Sequence, residues 1–271
     1  MKPDLPLIID CATLQPLLNA PSLVLLDICR PELYPRAHLP GALSVSPGET
    51  QAGMLPAPGA LPDATRLQAF ATKIGLQTDS QVVVYDDEGG GWAGRLIWLL
   101  YSIGFTRCSL LDGGILAWHD EGYPLSNDPV PYPRNGRWQV AMDPSHTITR
   151  DALQAALGQE DIGIWDARSA MEYQGISQSA ARNGHIPGAV HYEWTQVMDT
   201  QRQLRLRPLE EIRRELATLG LTERARVVTH CQSHHRSGLT WLVGRALSLP
   251  IQAYAGSWYE WGNHPDTPIE I

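Results

Sequence analysis

Short apolar runs alternate with amphipathic segments along the whole chain. Mainly apolar runs at 23–28, 82–84, 163–167 and 227–228 predict buried strands. Segments with helical periodicity or helix start signals lie between them, at about 12–19, 65–74, 150–157, 209–219 and 239–249. Strands without a polar face that alternate with helices predict an α/β fold, in which a mainly parallel sheet is flanked by helices on both faces.

The same landmarks occur twice in the same order. Asp27 precedes a tyrosine by seven residues and then a His-Leu-Pro-Gly-Ala turn, and Asp166 precedes a tyrosine by seven residues and then His-Ile-Pro-Gly-Ala. Further on, Val-Val-Val-Tyr before Asp86 matches Val-Val-Thr-His before Cys231, and Trp118 matches Trp261. Two copies of one domain explain this order most simply.

A proline-rich stretch separates the two copies. Four prolines between 124 and 136 favour an extended, semi-rigid connection over a helix or a central strand. We therefore expect one domain at 1–124, a linker at 125–142 and a second domain at 143–271.

The candidate chemistry lies where an apolar run ends at Cys231. Six polar residues follow it before the apolar segment at 239–249: Gln232, Ser233, His234, His235, Arg236 and Ser237. A strand that turns sharply into a helix presents backbone N–H groups and the helix dipole to an anion in the turn. If that anion is the thiolate of Cys231, its pKa falls below that of a free cysteine, and Arg236 adds a permanent positive charge. This arrangement predicts a nucleophilic cysteine.

Two other interpretations of the cysteine are weaker. An inert buried cysteine is disfavoured, because an apolar core does not accommodate Gln-Ser-His-His-Arg without partners. A metal site at Cys231, His234 and His235 is disfavoured as well, because no CxxC or second ligand cluster completes a four-ligand set. We expect no metal.

Composition and charge limit the kinds of partner and the cellular location that we expect. The net charge of −8 argues against nucleic acid or an anionic membrane as a generic partner. The four cysteines show no paired spacing, and neither a signal peptide nor an apolar run of membrane-spanning length is present, so a cytoplasmic protein is expected.

These residues together resemble a tandem-domain rhodanese of the thiosulfate and mercaptopyruvate sulfurtransferase family. The resemblance covers nearly the whole chain. It rests on Asp-Ala-Arg at 166–168, Gly-His-Ile-Pro-Gly-Ala at 184–189, the loop 231–237 and Gly-Ser-Trp-Tyr-Glu-Trp at 256–261. The loop Cys-Gln-Ser-His-His-Arg is most similar to bacterial rhodaneses with a His-His-Arg loop. The resemblance implies two rhodanese-like domains, of which only the second is catalytic. Asp86 stands where Cys231 stands in that copy, and a carboxylate cannot carry sulfane sulfur, so the first domain should be silent.

The activity implied is sulfur transfer from thiosulfate to cyanide or another thiophilic acceptor. Cys231 would be the catalytic residue and carry a persulfide in a double displacement with no metal or organic cofactor. The substrate-binding residues would be Gln232, Ser233, His234, His235, Arg236 and Ser237, with Arg236 on the sulfonate. For His234 and His235, shaping the loop is an alternative of equal weight. Expected partners are a small sulfur donor, cyanide or thiols, and a sulfur-accepting protein, and a monomer is expected. Asp166, Arg168 and the turn that starts at His185 are expected to be structural.

Several alternatives stay open. Protein phosphatases of related architecture resemble Cys-x5-Arg, whereas the spacing here is Cys-x4-Arg, which makes a phosphatase or an arsenate-handling enzyme a remote alternative. The loop differs from both Cys-Arg-Lys-Gly-Val-Thr and Cys-Gly-Ser-Gly-Val-Thr of better-known sulfurtransferases, so mercaptopyruvate remains an alternative donor. A persulfide donor for biosynthesis and an inactive interaction module also remain. Glu172 falls near a position where thiosulfate enzymes tend to carry arginine, and Arg182 is a candidate to supply that charge.

Overall fold

The computed structural model describes residues 5–271. Residues 1–4, which belong to the N-terminal stretch considered for a signal peptide, lie outside the described part. The chain packs into two compact units. The first contains residues through Thr50 together with Pro62–Asp143 and Asp199–Leu206, and the second contains Gln51–Leu61, Pro144–Met198 and Arg207–Ile271. The proposed limits at 124 and 142 stay a prediction, but the packing of 51–61 with the second unit was not anticipated.

The elements of the first half of the chain follow the predicted alternation. They are β1 (Ile8–Ile9), α1 (Cys11–Leu14), β2 (Leu23–Asp27), β3 (Leu43–Ser44), α2 (Ala64–Lys73), β4 (Gln81–Tyr85), α3 (Gly91–Ser102), β5 (Cys108–Leu111) and α4 (Gly114–Asp120). All five strands are parallel, in the order β1-β5-β4-β2-β3. The helix predicted at 12–19 is shorter, because Pro16 lacks the N–H that an α-helix needs there, and the chain continues as a 3₁₀ turn at Gln15–Leu17.

The second half repeats this pattern. Its elements are α5 (Arg150–Ala156), β6 (Ile162–Asp166), α6 (Ala170–Tyr173), β7 (Ala189–His191), β8 (Met198–Asp199), β9 (Arg205–Leu206), α7 (Leu209–Thr218), β10 (Arg226–His230), α8 (Arg236–Ala246), β11 (Ile251–Ala253) and α9 (Ser257–Asn263). Four of the strands form a parallel sheet in the order β11-β10-β6-β7. Together with the helices packed on both sheets, this confirms the predicted α/β fold.

The internal repeat extends to individual hydrogen bonds. In the first unit the Tyr34 hydroxyl donates to the carbonyl of Ala42 at 2.7 Å, and in the second the Tyr173 hydroxyl donates to the carbonyl of Ala189 at 2.7 Å. The histidine of each Pro-Gly turn stacks on that tyrosine, with ring centroids 4.0 Å apart at His38 and 3.8 Å apart at His185. Each unit therefore builds its turn with the same contacts, as expected for two copies of one domain.

Each unit buries its own apolar core between sheet and helices. The first core includes Val83 and Trp118, and the second includes Val228, Trp258 and Trp261, all fully buried. The segment predicted as a linker has no helix between 127 and 143 and lies on the first unit, where the backbone N–H groups of Arg137 and Trp138 both donate to the carbonyl of Leu76. Across the described part of the chain, no helix combines the length and apolar character needed to cross a bilayer.

Candidate active site

Cys231 follows the last residue of β10, a strand in the interior of the second sheet. The strand is buried from Val227 to His230 because it pairs on both sides, with β6 and with β11. The chain then turns and enters α8 at Arg236, three residues earlier than the apolar pattern predicted. The first turn of α8 therefore contains Arg236 and Ser237, and its N–H groups point back towards the cysteine.

The turn is fixed by the first residues of α9. The N–H of Trp258 donates to the carbonyl of Cys231 and the N–H of Tyr259 donates to the carbonyl of Gln232, both at 2.9 Å. The backbone N–H of Cys231 donates to the hydroxyl of Ser257 at 3.3 Å. These bonds hold the cysteine carbonyl away from the thiol, so that the thiol faces the N–H side of the loop.

The thiol of Cys231 is fully buried, yet its environment favours the thiolate. Burial raises the pKa of a thiol, but the charge of Arg236, hydrogen bonds from the hydroxyl and N–H of Ser237 and the nearby His235 outweigh it, and the pKa of Cys231 is lowered. The Ser237 hydroxyl donates to Sγ at 3.4 Å. A buried thiolate held by donors at a helix N-terminus is a nucleophile prepared for attack.

The other three cysteines have the opposite environment. Burial raises the pKa of Cys11 to about 11 and raises that of Cys29 and Cys108 as well, and none of the four cysteines forms a disulfide. The contrast separates Cys231 from cysteines that act only as small apolar side chains.

His234 continues the hydrogen-bond chain from the thiol. Its Nδ1 lies 2.7 Å from the hydroxyl of Ser237, and both side chains are fully buried. A serine hydroxyl has one proton. Because that proton points at Sγ of Cys231, Nδ1 of His234 must donate to the serine oxygen. The geometry thus assigns the proton to Nδ1 and orients the Ser237 donor. His234 also has a φ of +58°, in the left-handed region.

Two of the remaining loop side chains lie against neighbouring segments. The amide nitrogen of Gln232 donates to the carbonyl of Ser179 at 2.8 Å. The ring of His235 packs against Trp194, with centroids 5.7 Å apart. These contacts shape the rim of the loop.

Ser233 lies beneath the segment 51–61, which belongs to the second unit. A Cβ added at Gly59 would lie 2.3 Å from the carbonyl oxygen of Ser233 and 2.7 Å from that of Ala255. Real Cβ atoms do not approach this closely, so only glycine fits at 59 without movement of the loop. The segment thus fixes the position of Ser233. The sequence did not reveal this contact, because no motif or spacing links Gly59 to a residue so distant along the chain.

Arg236 is held by a carboxylate that the sequence alone did not assign to it. Its Nη1 and Nη2 atoms donate to the two oxygens of Glu172, at 2.6 and 2.8 Å. Glu172 is the third residue of α6 and forms a capping box with Ser169. That Ser-x-x-Glu spacing is visible in the sequence and could have located Glu172, but not its partner.

Two arginines near the loop are engaged elsewhere. Arg168 forms a fully buried ion pair with Asp166 at 2.5 Å and donates to the carbonyl of Gly184, which supports the scaffold role expected for this pair. Arg182 donates to the carbonyl oxygens of Thr267 (2.8 Å) and Trp261 (3.2 Å). Arg182 therefore holds the chain after α9.

No metal-ligand cluster accompanies these groups. Within residues 5–271, no three His, Cys, Asp or Glu side chains converge in a way that could hold an ion. What the arrangement can do is covalent chemistry at one sulfur atom: a stabilised thiolate, N–H donors around it and one adjacent cation.

The chain is similar to known sulfurtransferases over almost its whole length. The chain is 49% identical to a thiosulfate sulfurtransferase of Azotobacter vinelandii over 269 residues, covering 99% of this chain and 98% of that protein. It is 35% identical to a probable 3-mercaptopyruvate sulfurtransferase of Pseudomonas aeruginosa, with 93% of each chain covered. The crystal structure of an anaerobic ergothioneine biosynthesis enzyme from Chlorobium limicola has the same fold, with a TM-score of 0.86 at 21% identity over 97% of this chain and 70% of that one.

The family model described as a Rhodanese-like domain matches the chain twice, at residues 10–121 and 149–264. The first match contains Asp86 and every strand of the first sheet except β1, and the second contains Cys231 and the whole second sheet. The chain therefore belongs to the rhodanese family and consists of two rhodanese-like domains.

Proposed function

We propose that the protein is a sulfurtransferase, of the thiosulfate:cyanide type, that carries sulfane sulfur as a persulfide on Cys231. The observation that carries this proposal is the buried thiol of Cys231, whose pKa is lowered despite its burial by Arg236 and Ser237. Family membership and the activity named for the Azotobacter relative support thiosulfate as the donor.

The first half-reaction is a displacement at sulfur. The Cys231 thiolate attacks the outer sulfur of thiosulfate, the sulfur–sulfur bond of thiosulfate breaks, and sulfite leaves with the bonding electrons. The product is a persulfide anion on Cys231. The N–H groups at the start of α8, the Ser237 hydroxyl and Arg236 stabilise its charge as they stabilise the thiolate.

The second half-reaction regenerates the thiolate. Cyanide or another thiophile attacks the terminal sulfur, the persulfide bond breaks, and thiocyanate or the corresponding product leaves while Cys231 recovers its negative charge. No oxidant, reductant or cofactor enters either step. In this scheme Gln232, Ser233, His234 and His235 shape the loop around the donor.

The size of the loop supports sulfur transfer over phosphate hydrolysis. Four residues separate Cys231 from Arg236, and the thiol is fully buried in the loop. The N–H groups of so short a loop converge on a small target, which suits the single outer sulfur of a persulfide, whereas a tetrahedral phosphate needs a wider ring of donors. This argues against the phosphatase alternative.

A second candidate donor, the cellular acceptors, the location and the oligomeric state are also proposed. The similarity to a probable 3-mercaptopyruvate sulfurtransferase makes mercaptopyruvate the second candidate donor. We propose thiols or a sulfur-accepting protein as cellular acceptors, and a cytoplasmic location because all four cysteines are unpaired. A monomer is proposed because each unit buries a core of its own.

Initial-rate kinetics test the proposal. Thiocyanate formation is measured with thiosulfate and cyanide both varied, on wild type, Cys231→Ala and the control Cys108→Ala, which changes a buried cysteine of the first sheet. Double displacement predicts parallel reciprocal plots and activity in wild type and Cys108→Ala alone. Activity in Cys231→Ala, or intersecting plots in wild type, contradicts the proposal.

A further inference from the structure

The guanidinium of Arg236 is already occupied by an anion of the protein. Both of its terminal nitrogens donate to the two carboxylate oxygens of Glu172, in the fork arrangement that carboxylates and other oxyanions share. The two side chains are only 19% and 13% exposed, so water screens the pair weakly. An oxyanion donor that enters the loop therefore meets a neutralised pair and not a free cation.

Glu172 is held in place independently of Arg236. One of its oxygens accepts from the backbone N–H of Ser169 at 3.1 Å and from the Ser169 hydroxyl at 2.9 Å. Burial raises the pKa of Glu172, but Arg236 and the Ser169 donors outweigh it and lower the pKa to about 2. The carboxylate thus stays charged and fixed throughout the working pH range.

The neighbouring cations do not offset this carboxylate. Arg168 is fully buried and paired with Asp166, and Arg182 donates to backbone carbonyls after α9. His235 packs against Trp194 at the rim. A dianionic donor at Cys231 therefore finds the Arg236 guanidinium bound to Glu172, with no other cation free to replace it among these three side chains.

We propose that Glu172 is a donor-specificity residue, which competes with the oxyanion group of the donor for the Arg236 fork and so weakens binding of dianionic donors relative to less charged ones. The proposal rests on the sulfur-transfer function proposed above. Because Coulomb energy scales with the charge of the ligand, removal of the Glu172 charge should strengthen thiosulfate binding about tenfold and that of the monoanion mercaptopyruvate about threefold.

Three variants separate charge from structure. Glu172→Gln removes the charge but keeps the shape, and glutamine also serves at the third position of a capping box. Ser169→Ala weakens the cap while Glu172 keeps its charge. Glu210→Gln is the matched control, because it makes the same charge change at an exposed position on α7.

Two measurements are made on each variant of the full chain. Persulfide formation on Cys231 is followed by intact mass against donor concentration, and binding of sulfate, an unreactive dianion, is measured by titration calorimetry. For Glu172→Gln we expect about tenfold lower half-saturation by thiosulfate and a parallel gain in sulfate affinity, with Glu210→Gln and Ser169→Ala near wild type. Unchanged or weaker binding of both dianions by Glu172→Gln overturns the proposal, as does an equal gain in Ser169→Ala.

Different results would contradict the sulfurtransferase function and the specificity role of Glu172. If wild type takes sulfur from neither donor, the proposed function is wrong, while the sulfate titration still decides whether Glu172 opposes dianions. If wild type forms the persulfide but Glu172→Gln leaves both dianion affinities unchanged, only the specificity role is wrong.

Discussion

Asp86 lies in the first unit at the point that Cys231 occupies in the second. Each residue directly follows the last residue of a strand in the sheet interior, after Tyr85 in β4 and after His230 in β10. Those two strand ends pair in the same register, Tyr85 with Asp27 and His230 with Asp166. The repeat thus places an ionisable side chain at the same position of each copy, a carboxyl group in the first and a thiol in the second.

The group at this site in the first unit is a carboxylate that bonds to the helix start. The Asp86 oxygens accept from the backbone N–H groups of Gly90 at 2.9 Å and Ala93 at 3.0 Å, at the N-terminus of α3. The second unit places a thiol in this position. In the first copy the Asp86 carboxylate accepts the N–H groups of the helix start, whereas in the second copy the corresponding position is a thiol that can bind a sulfur atom. We therefore propose that only the second copy is catalytic.

Burial of Asp86 predicts a pH-dependent stability of the first unit. Burial, with Glu88 nearby, raises its pKa from 3.8 to about 6 in spite of the N–H donors. Below about pH 3 the carboxyl is protonated in both the folded and the unfolded state, so its burial costs no folding free energy there. As pH rises to 6 the unfolded state ionises more readily, and the unit loses roughly 3 kcal/mol of stability.

We expect Asp86→Asn to remove this loss. The measurement is denaturant unfolding of wild type and variant at a series of pH values from about 3 to about 7, with exposed Asp79→Asn as the control. If Asp86→Asn retains the pH dependence of wild type, the assignment to Asp86 is wrong.

The Ser237 hydroxyl should set part of the acidity of Cys231. In Ser237→Ala the thiolate loses a hydrogen bond worth about 1.5 kcal/mol, so its pKa should rise by about one unit. The pH at which persulfide formation reaches half its maximum should therefore rise by about one unit. Stopped-flow mixing with thiosulfate across pH checks this, with exposed Ser248→Ala as the control. A slower reaction with an unchanged pH midpoint would limit Ser237 to a structural role.

We expect His234 to assist the reaction by donating a hydrogen bond from Nδ1 to the Ser237 hydroxyl. Asparagine can donate from a similar position and tolerates the positive φ at this residue, so His234→Asn should retain most activity. His234→Ala should lose about tenfold in kcat/KM and raise the pH midpoint as Ser237→Ala does. The pH–rate profiles of both variants provide the test. An equal loss of kcat/KM in His234→Asn and His234→Ala would argue against the hydrogen-bond donor role of His234.

The segment 51–61 should be required for the shape of the loop. Gly59→Ala pushes a methyl group into the carbonyls of Ser233 and Ala255, and displacement of a reacting group by about 1 Å can cost a hundredfold in rate. Gly48→Ala is the matched control, because its nearest neighbour is the Ser46 hydroxyl at 3.7 Å. We expect a large drop in persulfide formation for Gly59→Ala only, with little change in far-ultraviolet dichroism. Full activity would show that the loop accommodates the methyl group.

Much of the fold could be predicted from the sequence, because the central strands of both sheets are mainly apolar. The runs at 23–28 and 163–167 became β2 and β6 within one residue at each end, and the aligned positions of Asp86 and Cys231 proved structurally equivalent. The start of α8 was placed too late, because its first turn carries polar residues that bind the thiol and not apolar ones that fill the core.

The site was only partly predictable. The position of Cys231 and the polarity of its loop are local features, and so they were visible in the sequence. The pairing of Glu172 with Arg236 joins residues 64 positions apart, and the approach of Gly59 to Ser233 spans a still longer separation. Neither contact leaves a periodic or spacing signal, since each depends on tertiary packing.

In the proposed reaction Cys231 carries the transferred sulfur. The most direct measurement is the intact mass of wild type and Cys231→Ala after thiosulfate, followed by cyanide. We predict that wild type gains the mass of one sulfur atom, loses it to cyanide as thiocyanate, and that Cys231→Ala gains nothing. A sulfur adduct on Cys231→Ala, or none on wild type with either thiosulfate or mercaptopyruvate, would contradict the account.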